Sequence, residues 1–173
     1  MDQRFGSLSP GQQQKIAILT ALGNEPDLLV LDEPVSSLDP VARRDFLRSL
    51  LEITLDDDRT VILSTHITSD LERVASHIAV LNDGQIRWND ELDELKDRVK
   101  RLRIRGTSQL PLNLKVPSSI RINVVGNSAT AVVADWNQEI DEQLRDQYSV
   151  EVDVEDLNLE DIFLEINESE EAS

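Results

Sequence analysis

The sequence lacks cysteine and contains half as many basic as acidic side chains. Without cysteine, disulfides, thiolate metal sites and cysteine nucleophiles are all excluded. The 17 Lys and Arg residues against 34 Asp and Glu give a net charge of −17. This charge argues against nucleic-acid binding, which requires clustered positive charge. No run of about 18 apolar residues occurs, so we expect membrane contact only through a partner.

Of the 173 residues, 39% are hydrophobic and 29% are charged, a composition that is typical of a globular protein. A helix is predicted from Pro10, with Ser9 as its N-cap and Gly23 and Asn24 at its end; its apolar side is expected to carry Ile16, Ala17, Leu19, Thr20 and Leu22. The apolar run 28–31 is typical of a strand buried on both faces of a parallel sheet. The elements that follow are a helix at 41–55, an acidic turn at 56–58, a strand at 60–64, a short helix at 68–74 and a hairpin of strands at 78–81 and 85–88. This alternation predicts an α/β fold.

The pattern changes at about Glu91, where a charged helix begins. Strands near 102–105, 120–125, 129–133 and 150–154 and helices near 138–146 and 159–166 follow, and the polar end 167–173 is expected to fray. We therefore predict two domains, residues 1–90 and a small α+β accessory domain at 91–173 with an acidic tail.

Two acids, Asp32 and Glu33, come directly after the apolar run, at the end of a strand where open α/β sheets bind their ligands. Phosphoryl transfer needs a carboxylate to hold Mg²⁺ and a second group to orient or deprotonate the attacking water. The two acids fit those roles. Alone, such a pair is more typical of acids that merely start a turn.

Two further segments carry polar groups suited to a phosphate. Leu8 to Gln12 (LSPGQ) places a Ser hydroxyl and backbone N–H groups at a helix start, where an anion would be stabilised. Thr65-His66 follows the strand at 60–64 and puts a histidine at the sheet edge. Taken singly, the first is an ordinary capped helix and the second a solvated loop histidine.

Together and in this order, these segments resemble the nucleotide-binding domain of ABC transporters. LSPGQ resembles its signature motif, 29–34 its Walker B motif, 36–40 its D-loop and Thr65-His66 its H-loop. The resemblance implies a P-loop NTPase sheet, ATP and Mg²⁺ as cofactors, and ATPase activity coupled to transport. It also implies a location on the cytoplasmic face of the membrane, through a permease subunit.

The same resemblance assigns roles to individual residues. Asp32 is expected to support Mg²⁺, Glu33 to act as catalytic base and His66 to contact the γ-phosphate. The residues expected to contact nucleotide or communicate across a head-to-tail dimer with a second ATPase subunit are Ser9, Gly11, Gln12 and Asp39. Residues 157–164 (LNLEDIFL) look like the C-terminal end of exporter-type subunits of the ABC-2 class.

The chain departs from the family pattern in one major respect. No glycine is followed by Lys-Ser or Lys-Thr, so the phosphate-binding Walker A loop, GxxxxGK[ST], is absent. We therefore expect no tight ATP binding in cis and no hydrolysis by the chain alone. The sheet is also expected to lack its Walker A strand and to expose an apolar edge and face.

Three interpretations remain open. The chain is part of an ABC exporter ATPase, or a non-catalytic partner or regulator that supplies the signature motif in trans to a complete ATPase. The third places the ATPase core in DNA repair or chromosome maintenance. Those proteins usually carry coiled-coil or zinc-binding insertions, and neither heptads nor cysteines occur here.

Overall fold

The computed structural model describes residues 5–24, 26–55 and 59–171, which divide into two compact units, Met1–Val74 and Ala75–Ser173. The first unit contains a 3-10 turn (Phe5–Ser7), α1 (Pro10–Leu22), β1 (Leu28–Asp32), α2 (Pro40–Thr54), β2 (Thr60–Ser64) and α3 (Thr68–Leu71). The second contains β3 (His77–Asn82), β4 (Gln85–Glu91), α4 (Leu92–Arg98), β5 (Lys100–Gly106), β6 (Ser119–Val125), β7 (Ser128–Val133), α5 (Gln138–Tyr148), β8 (Val150–Asp156) and α6 (Leu159–Glu171).

The first unit is built on a parallel pair of strands. β1 and β2 run side by side, with Val30 opposite Ile62 and Asp32 opposite Ser64, so both strands end at the same edge. The helices cover one face of the pair and form a core of Leu29, Leu31, Val35, Leu38, Leu47 and Leu50. The predicted α/β arrangement is confirmed, and it delivers the residues after both strands to one place.

The other face of this pair is open. Burial alternates along β1, so Leu28 and Val30 are 54% and 64% exposed, and Ile62 beside them on β2 is 54% exposed. The prediction of a strand buried on both faces is wrong, because among the described residues β1 pairs only with β2 and helices pack on one side. The expected open apolar face is present, and we call Leu28, Val30 and Ile62 the open face.

The inward side of α1 also differs from the prediction. Leu22 packs against the core as predicted, but Ile16 and Leu19 are exposed, and the buried Ile18 and the packed Ala21 take their place. Residues 14, 18, 21 and 22 follow helical spacing, so this side of α1 begins with Gln14. The prediction failed because a mostly apolar helix offers two possible faces, and the position of the sheet chooses between them.

The second unit combines a hairpin with a four-stranded antiparallel sheet. β3 and β4 form the hairpin, and the larger sheet has the order β6-β7-β5-β8. α5 packs against β8 and α6 against β6, over a core that includes Leu102, Ile104 and Leu144. The turn between β6 and β7 contains Gly126, whose φ of 63° lies in the region that favours glycine.

Charged side chains on this sheet pair with one another. Arg103 Nε lies 2.6 Å from Glu155 Oε1 on the neighbouring β8. Glu165 of α6 forms two ion pairs: its Oε1 lies 3.2 Å from a guanidinium nitrogen of Arg101, and its Oε2 lies 3.4 Å from one of Arg121. Arg101 and Arg103, two of the alternating arginines of β5, are thus engaged by carboxylates of α6 and β8.

Several predicted boundaries can be compared with the structure. The compact units meet at residues 74 and 75, whereas the domain boundary at 90 and 91, which was based on the change of sequence pattern there, stays a prediction. Residues 167–171, which were expected to fray, are helical. The predicted acidic turn at 56–58 lies outside the described residues. Within the described part of the chain, no helix has both the length and the apolar character to cross a membrane.

Candidate functional site

The edge where β1 and β2 end gathers both predicted acids around Ser64. The Ser64 hydroxyl donates a 2.5 Å hydrogen bond to Asp32 Oδ1. The Glu33 backbone N–H donates to two atoms of Ser64, the carbonyl oxygen and Oγ, each at 3.1 Å. Ser64 therefore fixes the side chain of Asp32 and the backbone of Glu33 at once, through the parallel register of the strands.

His66 lies against the carboxylate of Glu33. Glu33 Oε1 accepts a hydrogen bond from the His66 backbone N–H at 3.0 Å and lies 2.8 Å from His66 Nδ1. A carboxylate only accepts, which assigns the hydrogen to Nδ1; Nε2 then accepts in the neutral ring and donates in the imidazolium. The His66 side chain is 72% exposed. The second oxygen, Glu33 Oε2, is buried without a hydrogen-bond partner in the described structure.

The backbone of Glu33 adopts an unusual conformation. Its φ is 44°, in the left-handed region that non-glycine residues rarely occupy. Its carbonyl oxygen accepts from Gln14 Nε2 at 3.0 Å, from Ser36 Oγ at 3.0 Å and from the Ser36 N–H at 3.2 Å. Such strain persists only where the surroundings determine it, and it clusters at functional sites.

The start of α1 is closed by a capping box. Ser9 Oγ accepts from the Gln12 N–H at 3.3 Å, and Gln12 Oε1 accepts from the Ser9 N–H at 3.0 Å. Both residues are exposed. The Ser9 hydroxyl hydrogen can still donate to an anion there, where the helix dipole favours negative charge.

Gly11 brings the start of α1 against the segment 36–39. A side-chain carbon at Gly11 would lie 2.8 Å from the carbonyl oxygen of Ser37. This distance is shorter than real side chains allow, so only glycine fits without a shift. Two segments far apart in sequence, both predicted to serve the nucleotide, are therefore in backbone contact.

Asp39 caps the next helix. Its Oδ1 accepts from the N–H groups of Val41 and Ala42, both at 3.0 Å, at the start of α2. The hydrogen bond from Ala42 lowers the pKa of Asp39, with contributions of the same sign from Val41 and the charge of Lys15, against desolvation, which raises it. Asp39 is thus held in its charged form and fixes the direction in which the chain leaves the 36–39 turn.

Three supporting residues were not predicted from the sequence. Ser64 bridges the acids, Gln14 reaches Glu33 from α1, and Asp70 of α3 is buried with its Oδ2 3.7 Å from Arg43 Nε. Pairing residues 28–32 and 60–64 in parallel would have found Ser64, since it lies opposite Asp32. Helical spacing places Gln14 on the same side of α1 as the buried Ile18, but it does not indicate that Gln14 bonds to Glu33.

The predicted site residues thus form connected groups within the first unit. Asp32, Glu33 and His66 share one edge; Ser9, Gly11 and Gln12 lie at the start of α1; and Asp39 lies at the start of α2. The described residues contain no cluster of three or more His, Cys, Asp or Glu able to hold a metal ion. The oxygen donors of Asp32 and Ser64 still suit Mg²⁺, which commonly takes one or two protein ligands and completes its shell with water and phosphate.

Sequence comparison matches the chain to one family profile and to individual ABC transporter proteins. A family profile described as "AAA domain, putative AbiEii toxin, Type IV TA system" matches residues 2–69, which include all the predicted site residues. The chain is 38% identical over 96 residues to the uncharacterized ABC transporter ATP-binding protein YxlF of Bacillus subtilis (strain 168), covering 56% of this chain and 32% of that protein. It is 38% identical over 90 residues to the thiamine import ATP-binding protein ThiQ of Salmonella typhimurium (strain LT2), covering 52% of this chain and 38% of that protein.

The fold comparison agrees. A bacterial ABC transporter cassette, solved as a dimer, matches with a TM-score of 0.50 and 31% sequence identity, over 53% of this chain and 39% of that one. The chain spans about a third of the length of the curated relatives it matches, 32% and 38% for the two named above. Over just more than half of its own length, this chain is a homologue of ABC transporter ATP-binding proteins.

Proposed function

We propose that this chain is part of the ATPase subunit of an ABC exporter, which couples ATP hydrolysis to transport through a separate membrane permease. Its share of the ATPase is the signature, Walker B, D-loop and H-loop segments. The observation that carries the proposal is the shared edge of β1 and β2. There Ser64 joins Asp32 to the Glu33 backbone by hydrogen bonds, and the Glu33 carboxylate contacts His66. In this proposal the chain takes its phosphate-binding loop from another polypeptide segment, because the sequence contains no GxxxxGK[ST].

Each group at the edge has a task that suits its environment. Asp32, oriented by Ser64, offers a carboxylate oxygen to Mg²⁺, which neutralises phosphate charge when bound. Glu33 orients and deprotonates the attacking water. His66 holds Glu33 through Nδ1 and directs its exposed Nε2 edge to the γ-phosphate, which requires the imidazolium or release of Glu33, since Nε2 of the neutral ring does not donate here.

The start of α1 serves a second site. Ser9, Gly11 and Gln12 contact the terminal phosphate of a nucleotide bound by a second ATPase subunit in a head-to-tail dimer, and the turn ending at Asp39 contacts that subunit. The exposure of Ser9 and Gln12 supports this role, because a group that acts on a partner's ligand must face outward. We propose export as the direction of transport because residues 157–164 resemble the C-terminal end of exporter-type ABC-2 subunits.

The test is to mix the chain with an N-terminal fragment of an ABC ATP-binding domain that carries GxxxxGK[ST]. We expect no ATPase activity from either piece alone and activity from the mixture. Glu33→Gln should reduce the activity of the mixture by at least about a hundredfold, the usual contribution of a general base. Glu52→Gln removes an equal charge from an exposed position of α2 and should have little effect. Equal activity of the two variants would refute the role of Glu33.

The alternative is a non-catalytic module that supplies the signature motif in trans to a complete ATPase. The exposed, capped start of α1 favours it, since that surface needs no further segment to form. This alternative predicts saturable binding to a complete ATPase, with stimulation that is lost in Ser9→Arg and kept in Glu33→Gln. The opposite pattern, sensitivity to Glu33→Gln in the fragment mixture, supports the first function.

A further inference from the structure

The side chain of Gln14 is the direct link from α1 to Glu33. Its Nε2 donates a 3.0 Å hydrogen bond to the Glu33 carbonyl oxygen, across 19 positions of sequence. The orientation of the amide follows from chemistry, because a carbonyl oxygen accepts and only the amide nitrogen donates. Gln14 Oε1 is buried without a hydrogen-bond partner in the described structure, so the amide has one specific engagement, with Glu33.

The acceptor of this bond is the strained residue of the site. Glu33 has a φ of 44°, and its carbonyl oxygen receives Gln14 from α1 and the N–H and hydroxyl of Ser36 from the following turn. The two Ser36 donors lie only three residues away and move with the turn. Gln14 is the donor that ties the Glu33 carbonyl to a separate element, whereas Ser64 holds the Glu33 N–H.

We propose that Gln14 is a positioning residue that couples the start of α1 to the orientation of Glu33. A displacement of α1 at Ser9 and Gly11 is transmitted along the rigid first turns of the helix to Gln14, and through its amide to the Glu33 peptide. The carboxylate that meets His66 then shifts with it. The effect of this coupling on hydrolysis rests on the proposed function; the contact and the coupling do not.

A second route from α1 to Glu33 runs through backbone contacts. Gly11 lies close to the Ser37 carbonyl, with no room for a side chain between them, and the neighbouring Ser36 donates to the Glu33 carbonyl. The experiment must therefore separate transmission through Gln14 from transmission through this turn.

The first measurement uses the full chain without nucleotide. The ¹³Cα and ¹³Cβ chemical shifts of Glu33 report its backbone angles, and they are compared in wild type, Gln14→Met and Thr20→Val. Methionine matches glutamine in length and helix propensity, and it removes both the donor and the buried oxygen. Thr20 Oγ1 donates to the Ile16 carbonyl at 2.8 Å, so the control loses a side-chain hydrogen bond from the same helix without disturbing its start.

We expect the Glu33 shifts to change several-fold more in Gln14→Met than in Thr20→Val. Equal changes would overturn the proposal. If Gln14→Met does not fold, Gln14→Glu replaces it, since a carboxylate of the same shape faces the Glu33 carbonyl without a donor.

The second measurement tests transmission with a double-mutant cycle. Ser9→Ala breaks the capping box and disturbs the start of α1. Ser9→Ala should change the Glu33 shifts in the wild-type background, and the change should be at least halved in the Gln14→Met background. A change of the same size in both backgrounds would assign the transmission to the Gly11 and Ser37 contact and refute a coupling through Gln14.

The third measurement uses the ATPase mixture described above. Gln14→Met should lower kcat about fivefold to tenfold, the effect of one hydrogen bond, with KM unchanged because the nucleotide contacts remain. A rise in KM at constant kcat would contradict a positioning role. Absence of activity in the wild-type mixture would count against the proposed function and leave the first two measurements as the test of the coupling.

Discussion

Replacing Gly11 by alanine tests the contact between the start of α1 and the 36–39 turn. In an unobstructed helix the change from glycine to alanine stabilises a protein by about 0.5–1 kcal/mol. Here the new carbon would lie 2.8 Å from the Ser37 carbonyl oxygen and must move by more than half an ångström to reach ordinary contact at 3.4 Å. The obstacle is backbone, which cannot rotate away as a side chain can.

The magnitude follows from two opposing terms. Overpacking of this kind costs roughly 1–3 kcal/mol, which outweighs the gain in helix propensity. We expect a net loss of about 1 kcal/mol in the free energy of unfolding. For a unit of this size, that loss corresponds to a decrease in Tm of about 4–8 °C.

The assay is thermal unfolding followed by far-UV circular dichroism. Fluorescence is less suitable, because both tryptophans, Trp88 and Trp136, lie in the second unit. The matched control is Gly6→Ala: in the part of the chain that the structure describes, no atom lies within 4 Å of a carbon added at Gly6, and the change should leave Tm equal or higher. If Gly11→Ala proved as stable as Gly6→Ala, the close approach of α1 to the turn would be refuted.

Three further outcomes are expected. Backbone hydrogen bonds lower the pKa of Asp39, so its contribution to stability is present above the unfolded pKa near 3.8 and is lost as the pH falls through the lower folded pKa. Asp39→Asn should therefore reduce the dependence of the unfolding midpoint on pH between about 5 and 2. Glu165→Gln weakens the ion pairs with Arg101 and Arg121 and should cost about 1–2 kcal/mol, measured by urea unfolding followed by tryptophan fluorescence; an unchanged midpoint would contradict the pairing. Ser149, the C-cap of α5, has a φ of 52°, so Ser149→Gly should raise the Tm of the second unit by relieving about 1 kcal/mol of strain, and a lower Tm would contradict this.

The sequence predicted the positions of the elements well where local signals were strong. The strand at 60–64 was correct at both ends, and α1 begins at Pro10 with Ser9 as its N-cap, because capping chemistry and apolar runs are local properties. The meeting of Asp32, Glu33 and His66 also followed, since parallel strands end at the same edge.

The details that failed depend on tertiary placement. The inward face of α1 was predicted correctly at Leu22 but wrongly at Ile16 and Leu19, because the position of the sheet decides which apolar residues of the helix are buried. The left-handed backbone of Glu33 and its bond to Gln14 leave no mark in a single sequence, because glutamate has no preference for that conformation. The continuation of α6 to Glu171 was missed because polar residues end a hydrophobic pattern without ending a helix.

The open face has a consequence for the behaviour of the chain in solution. Leu28, Val30 and Ile62 form an apolar stripe on a molecule with a net charge of −17. At low ionic strength, mutual repulsion keeps copies apart. Screening shortens the Debye length from about 10 Å at 0.1 M salt to about 3 Å at 1 M, so that stripes can meet. Self-association should therefore increase with added salt, the reverse of an assembly held by ion pairs.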